Sequence, residues 1–192
     1  MSETPRRRRI YLAGPEVFLP RAASVGAEKC RLAAAAGFEG VFPYDPHLRH
    51  TPLAKCEQAG RIFAVNTDLM RSCDALIANL TPFRGVSADA GTVFELGFMC
   101  ALGRPVSAYT NVAAHYHARA TAFRAHRPLA DDCDRPDCEV EDHDLCDNLM
   151  IEMAVVAAGG TLIRQRSAAL PDMADLAPFG QCLDVLRGLF NS

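Results

Sequence analysis

The chain has 192 residues, 49% of them hydrophobic, and sets 20 Lys and Arg against 23 Asp and Glu for a formal charge of −3. That length suits one domain with a sizeable core, and the near-balance of charge excludes the basic footprint of a protein that binds a nucleic acid polymer, the arginines at 6–9 reading as a solvated tail. Pro15, Glu16 and Pro20 interrupt the stretch after those arginines and no apolar run could span a bilayer, so neither export nor membrane attachment is read and a cytoplasmic protein is expected.

Taken in order, Ile10-Tyr11-Leu12-Ala13 reads as a short buried strand stopped by the turn signal Gly14-Pro15. The alanine-rich run at 21–36 has high helix propensity and ends at Gly37; residues 38–42 then form a second strand closed by Pro43. A helix over 55–72 carries the apolar stripe Ile62, Val65, Leu69 and Cys73, with Asp68 off the stripe. A third strand over 75–78 feeds a loop broken by Pro82 and Gly85, then a helix from about Gly91 to Leu102 and a fourth strand at 105–109. From about 110 to 146 the segment is polar and keeps no period, which marks a surface insertion in a single domain spanning 1–192. Asp147 is placed to cap a helix running to Gly159-Gly160, followed by a strand at 161–163 and a closing amphipathic helix at 178–190.

Strands alternating with helices at this spacing predict an α/β fold, a three-layer sandwich around a mainly parallel five-stranded sheet. The loop and helix at 79–97 lie after the carboxyl end of a strand, where open α/β sheets place their ligand crevice. Asp89 and Glu95, six apart, reach one site only if Asp89 precedes the helix. Adjacent strands one and three would bring Tyr11 close to Glu95. Acids without metal-binding histidines suit acid/base or covalent work on a neutral polar substrate. Taken singly, Asp89 also fits a plain N-cap, Glu95 an early-helix acid and Asp68 a solvated helix residue.

Cys30, Cys56, Cys73, Cys100 and Cys182 sit singly in apolar, helix-like segments, so most of them read as reduced core residues rather than as a disulfide framework. Cys133, Cys138, His143 and Cys146 are zinc-type side chains in one insertion, but without the short Cys-pair spacing of structural zinc sites, so no metal and no cofactor is expected.

The segments Ile10-Tyr-Leu-Ala-Gly-Pro-Glu-Val-Phe18, Cys73-Asp-Ala-Leu-Ile-Ala-Asn-Leu-Thr-Pro-Phe-Arg-Gly85 and Asp89-Ala-Gly-Thr-Val-Phe-Glu-Leu-Gly97 resemble the nucleoside 2-deoxyribosyltransferase family, and Asn148-Leu-Met150 resembles its late asparagine motif. The resemblance implies a flavodoxin-like sheet and exchange of the base on a 2-deoxyribonucleoside, with deoxynucleoside and free nucleobase as partners. It implies Glu95 as the nucleophile on the anomeric carbon, Tyr11 as the hydroxyl that positions it, and Asp68 and Asp89 as the pair handling the base, one of them supplying the leaving-group proton. Gly14, Pro15, Phe18, Phe83, Arg84 and Gly91 are then expected around the substrate, together with Asn148 and Met150 from a neighbouring subunit of a homodimer or larger homo-oligomer. Two other readings compete. One is a relative hydrolysing 2-deoxynucleoside 5′-monophosphates, which Arg84 and Ser87 favour and which Pro15 and acidic Glu16 in the first loop oppose. The other is a non-catalytic nucleotide-binding module.

Overall fold

The structure is a computed structural model, and it describes residues 6–47, 52–126, 138–165 and 172–191. Its strands are β1 (Arg9–Ala13), β2 (Glu39–Val41), β3 (Ala75–Asn79), β4 (Val106–Thr110) and β5 (Leu162–Arg164). The helices are α1 (Ala22–Ala35), α2 (Lys55–Ser72), α3 (Ala90–Ala101), α4 (Tyr116–His126), α5 (Leu149–Ala157) and α6 (Ala177–Asn191), with a 3-10 turn at Pro15–Phe18 between β1 and α1. All strands pair in parallel in the order β2-β1-β3-β4-β5. That is the doubly wound, flavodoxin-like order, with its switch point between β1 and β3.

Both faces of the sheet are covered, so its central strands are mostly apolar and their side chains alternate between two cores. Tyr11, Ala13, Leu76 and Ala78 point to the side packed by Met70 of α2, Leu96 and Met99 of α3, and Ile151 and Val155 of α5. Ile10, Leu12, Ala75 and Ile77 point to the other side, against Ala33 of α1 and Phe179, Cys182, Leu183 and Leu186 of α6. This period of two decides the chemistry, because it sends Tyr11 toward α3 and Tyr109 toward the α1–α6 layer.

The segment expected to be an irregular insertion contains α4, whose residues are nowhere fully buried. Its polar composition hides the helix from a reading based on apolar period, since the helix is tied down by hydrogen bonds instead. The cap of α5 also shifts by one residue: Asn148 Oδ1 accepts from the Met150 amide at 3.0 Å. Asp147 turns inward, with 1% of its surface exposed.

Candidate active site

Beyond the carboxyl ends of β1 and β3 lies a cavity of about 760 Å³. Gly14, Val17 and Phe18 form one wall, Phe42 to Asp45 a second, Gln58, Ile62, Val65, Asn66 and Leu69 of α2 a third, and Asp89, Gly91, Thr92 and Glu95 a fourth. Of the stripe read on α2, Ile62, Val65 and Leu69 thus line a cavity while Cys73 is buried in the core, and the helix's own buried positions are Thr67 and Met70. One side chain in the lining is poised by a second from the sheet. Tyr11 Oη donates to Glu95 Oε1 at 2.6 Å, joining β1 to the middle of α3.

Burial pushes the Glu95 carboxyl up to about 7; the Tyr11 hydrogen bond opposes that rise and the neighbouring Asp89 charge adds to it. Tyr11 itself is raised, first by burial and then by the Glu95 charge, so it keeps its proton and remains a donor. Asp89 is the N-cap of α3: its Oδ2 accepts from the Thr92 amide at 3.0 Å and the Thr92 hydroxyl at 3.3 Å. Because Asp89 precedes the helix, it shares the cavity with Glu95 in spite of their spacing. Gly91 permits the approach, since a Cβ there would lie 3.0 Å from Asp89 Oδ2.

A second tyrosine–glutamate pair sits on the opposite face of the sheet. Glu16 Oε1 accepts from Tyr109 Oη at 2.9 Å, Asn79 Nδ2 at 2.9 Å and Lys29 Nζ at 2.6 Å, and Glu16 and Lys29 are both fully buried. The ammonium also lies 5.6 and 5.3 Å from the ring centroids of Tyr109 and Phe179. Glu16 therefore does not present its charge to the first loop, and the sequence-based objection to phosphate that used it does not hold: Lys29 neutralises it inside the fold. The cavity wall itself opposes phosphate. Its described lining carries Asp45, Asp89 and Glu95 and no Lys, Arg or His, and Asp89 already caps the α3 amides that an anion would need.

A model of the nucleoside 2-deoxyribosyltransferase family matches residues 10–150. The chain belongs to that family. The Uncharacterized protein C191.05c of Schizosaccharomyces pombe is 34% identical over 117 residues, which cover 60% of this chain and 56% of that protein, so the match spans little more than half of the relative's length. The 2-desoxiribosyltransferase from Leishmania mexicana has the same fold, with a TM-score of 0.61 and 24% identity over 92% of this chain and 97% of that one. A conserved protein from Enterococcus faecalis V583 aligns over 96% of this chain and 99% of its own with a TM-score of 0.50 and 18% identity. Family membership makes this a deoxyribosyltransferase-like protein.

Within this deoxyribosyltransferase-like chain, the other residues singled out by sequence divide. Gly14 and Phe18 line the cavity; Pro15 is buried at the start of the 3-10 turn, outside the lining. Phe83 stacks on Phe18 at 5.3 Å, and Arg84 caps the pair from the rim, 4.9 and 4.6 Å from the two ring centroids. Asp68 does not join the cavity. Its side chain is 81% exposed and pairs with Arg71 at 3.6 Å, because it projects from α2 well away from the face formed by Ile62, Asn66 and Leu69. Asp68, expected as a base-handling acid, thus stands outside this cavity, and Gln58 and Asn66 are the polar side chains that α2 contributes to its lining.

Asn148 and Met150 stand apart from the cavity lining. The Asn148 carboxamide donates to Glu141 Oε2 at 2.9 Å, while Met150 is 72% exposed. Among the described residues no three His, Cys, Asp or Glu side chains gather in a metal-binding cluster, and Cys133 lies outside those residues. The Cys146 thiol accepts from Arg164 Nε at 2.9 Å. No described helix is long and apolar enough to cross a membrane.

Proposed function

We propose that this protein exchanges the nucleobase of 2-deoxyribonucleosides through a deoxyribosyl ester on Glu95, and the observation that carries the proposal is the Tyr11–Glu95 contact at 2.6 Å on the wall of a cavity whose described lining holds no cation. The Glu95 carboxylate attacks the anomeric carbon as the N-glycosidic bond breaks, and the departing base takes a proton, leaving neutral. We assign that proton to Asp89, which lines the cavity at the head of the helix that carries Glu95, whereas Asp45 comes from the segment after β2 and Asp68 faces solvent. A ring nitrogen of the second base then attacks the same carbon, gives its proton to the Asp89 carboxylate and releases Glu95, so two displacements retain the configuration. Tyr11 orients the carboxylate and holds one of its oxygens while the other reacts. Asn66 offers a donor and an acceptor to a base edge from the α2 wall, and Phe18 supplies apolar surface.

The lining also indicates a nucleoside in preference to a 5′-monophosphate. A dianionic phosphate would have to share the cavity with Asp45, Asp89 and Glu95, and repulsion between unit charges about 4 Å apart is roughly 4 kcal/mol at an intermediate dielectric. Incubation with a deoxynucleoside and a second free base tests the reading: exchanged nucleoside supports transfer, free deoxyribose with no exchange replaces it with hydrolysis, and neither product removes the enzymatic reading. A substrate carrying fluorine at the sugar 2-position should leave one modified sugar on the peptide containing Glu95. A label on Asp89 or Asp68, or unchanged exchange in Glu95→Ala, would overturn the nucleophile.

A further inference from the structure

The loop that delivers Asp89 is irregular and is held by hydrogen bonds from neighbouring segments. Residues 80–89 lie between β3 and α3, and the loop is pinched by one main-chain bond of 3.0 Å from the Phe83 amide to Ser87 O. Its rear is gripped from the polar segment that contains α4. Arg119 of α4, whose side chain is only 12% exposed, donates to Val86 O through Nε at 3.1 Å and Nη2 at 3.0 Å. The same guanidinium reaches Cys146 O at 2.6 Å and Ala114 O at 2.5 Å, so it ties three irregular segments together. Beside it, the buried Asp147 carboxylate accepts from the Ser87 hydroxyl, from the Ala88 amide at 2.8 Å and from the Asn148 amide at 2.8 Å. Arg119 Nη2 stands 3.9 Å from Asp147 Oδ2, which balances the buried charge.

We propose that Arg119 and Asp147 are positioning residues: together they clamp residues 86–88 from behind and so fix where the Asp89 carboxylate enters the cavity. Neither is among the residues that line the cavity. A guanidinium spreading its donors over loop carbonyls does for this loop what a ladder does for a strand, satisfying main-chain groups that would otherwise need water. The consequence for chemistry is geometric. Asp89 follows Ala88 directly, and an acid displaced by about 1 Å from its productive position can lower the rate roughly a hundredfold while leaving the rest of the substrate contacts in place. This inference rests on reading Asp89 as part of a deoxynucleoside site. It also assigns a use to α4, which buries no residue of its own in either core.

The test compares Ser87→Ala, Ser87→Thr and Arg119→Gln with the parent, in full-length protein below the onset of melting of each. Ser87→Ala removes one leg of the clamp at a site that is not fully buried, so it keeps the test open if Arg119→Gln fails to fold. Backbone hydrogen exchange at Ala88 and the kinetic constants for base exchange are read side by side. In Ser87→Ala and Arg119→Gln, the Ala88 amide should exchange at least about ten times faster, and kcat should fall about ten- to a hundredfold with KM within about threefold. Ser87→Thr, which keeps the hydroxyl, should retain both protection and kcat. Unchanged protection at Ala88 overturns the clamp, and lost protection with unchanged kcat overturns its positioning role. If the parent exchanges no bases, the transfer reading falls on that result, and protection at Ala88 alone decides the clamp.

Discussion

Glu95 and Glu16 each accept a hydrogen bond from a strand tyrosine, and what separates them is the cation. Lys29 neutralises Glu16 in the buried core, whereas among the described residues Glu95 has the Tyr11 hydroxyl as its one hydrogen-bond partner and keeps a carboxyl pushed up to about 7. A carboxyl raised in the fold above its ordinary 4.5 costs stability as it ionises: the penalty is absent below the unfolded value and complete above about 7. Glu95→Gln should therefore abolish exchange yet stabilise the protein by roughly 2 kcal/mol at pH 8, after allowing for partial exposure, with the gain vanishing near pH 4.5. Urea melts at the two pH values check this, and equal stabilities at pH 8 would mean that Glu95 is no worse off than in water. For the same reason kcat/KM should fall as pH drops through about 7, because the nucleophile is the ionised form. On α2, Asn66→Ala should raise the KM for the free base about tenfold and Asp68→Ala should leave both constants within about twofold, as measured by steady-state exchange. The reverse pattern would return Asp68 to the site.

At the scale of elements, α2 explains both what can be read from the chain and what cannot. Its apolar stripe is plain in Ile62, Val65 and Leu69, but periodicity reports that a face avoids water and is silent on whether a protein core or a ligand cavity does the excluding. Asn66 escapes such a reading because an asparagine on that face has no period of its own. The meeting of Tyr11 with Glu95 is legible, since it needs only adjacent strands and alternation along β1. The inward turn of Glu16 is not, because its partners Lys29, Asn79 and Tyr109 come from three elements and the last lies 93 residues away in sequence. That buried network holds the 3-10 turn whose Phe18 lines the cavity, and Gly14 is part of it: a Cβ there would lie 1.9 Å from Glu16 Oε2, a buried oxygen with no hydrogen-bond partner. Lys29→Met should cost about 3 to 5 kcal/mol in urea unfolding because it strands the Glu16 charge, and adding Glu16→Gln should recover part of that loss. A double variant no better than the single one would show that the two side chains are not coupled.

For the whole molecule, α2, α3 and α5 share one face of the sheet and leave large apolar side chains outside, among them Phe63 at 57%, Phe94 at 51% and Met150 at 72% exposure. Phe63, Phe94 and Phe98 also contact one another in sequence across α2 and α3, with centroids about 6 Å apart. A face of this kind suits a second copy of the chain, and we propose that Asn148 and Met150 complete a neighbour's cavity rather than their own. Mixing inactive Glu95→Ala and Asn148→Ala chains should then rebuild activity toward about a quarter of the parent's, the share of sites that draw both intact residues at equal mixing. No recovery despite demonstrated subunit exchange would keep Asn148 in its own chain as the α5 cap. The strand order carries one more consequence, for how the protein is made. β1 is central, yet its partner β3 lies 65 residues further along, as the pairing of Ile10 with Ala75 shows. At about 5 to 20 residues per second, a ribosome needs roughly 3 to 13 s to supply that partner. Throughout that interval Ile10, Tyr11, Leu12 and Ala13, all without exposed surface in the finished fold, have one edge with nothing to pair it, so the window in which this chain most needs shielding by a chaperone opens early and closes only when β3 emerges.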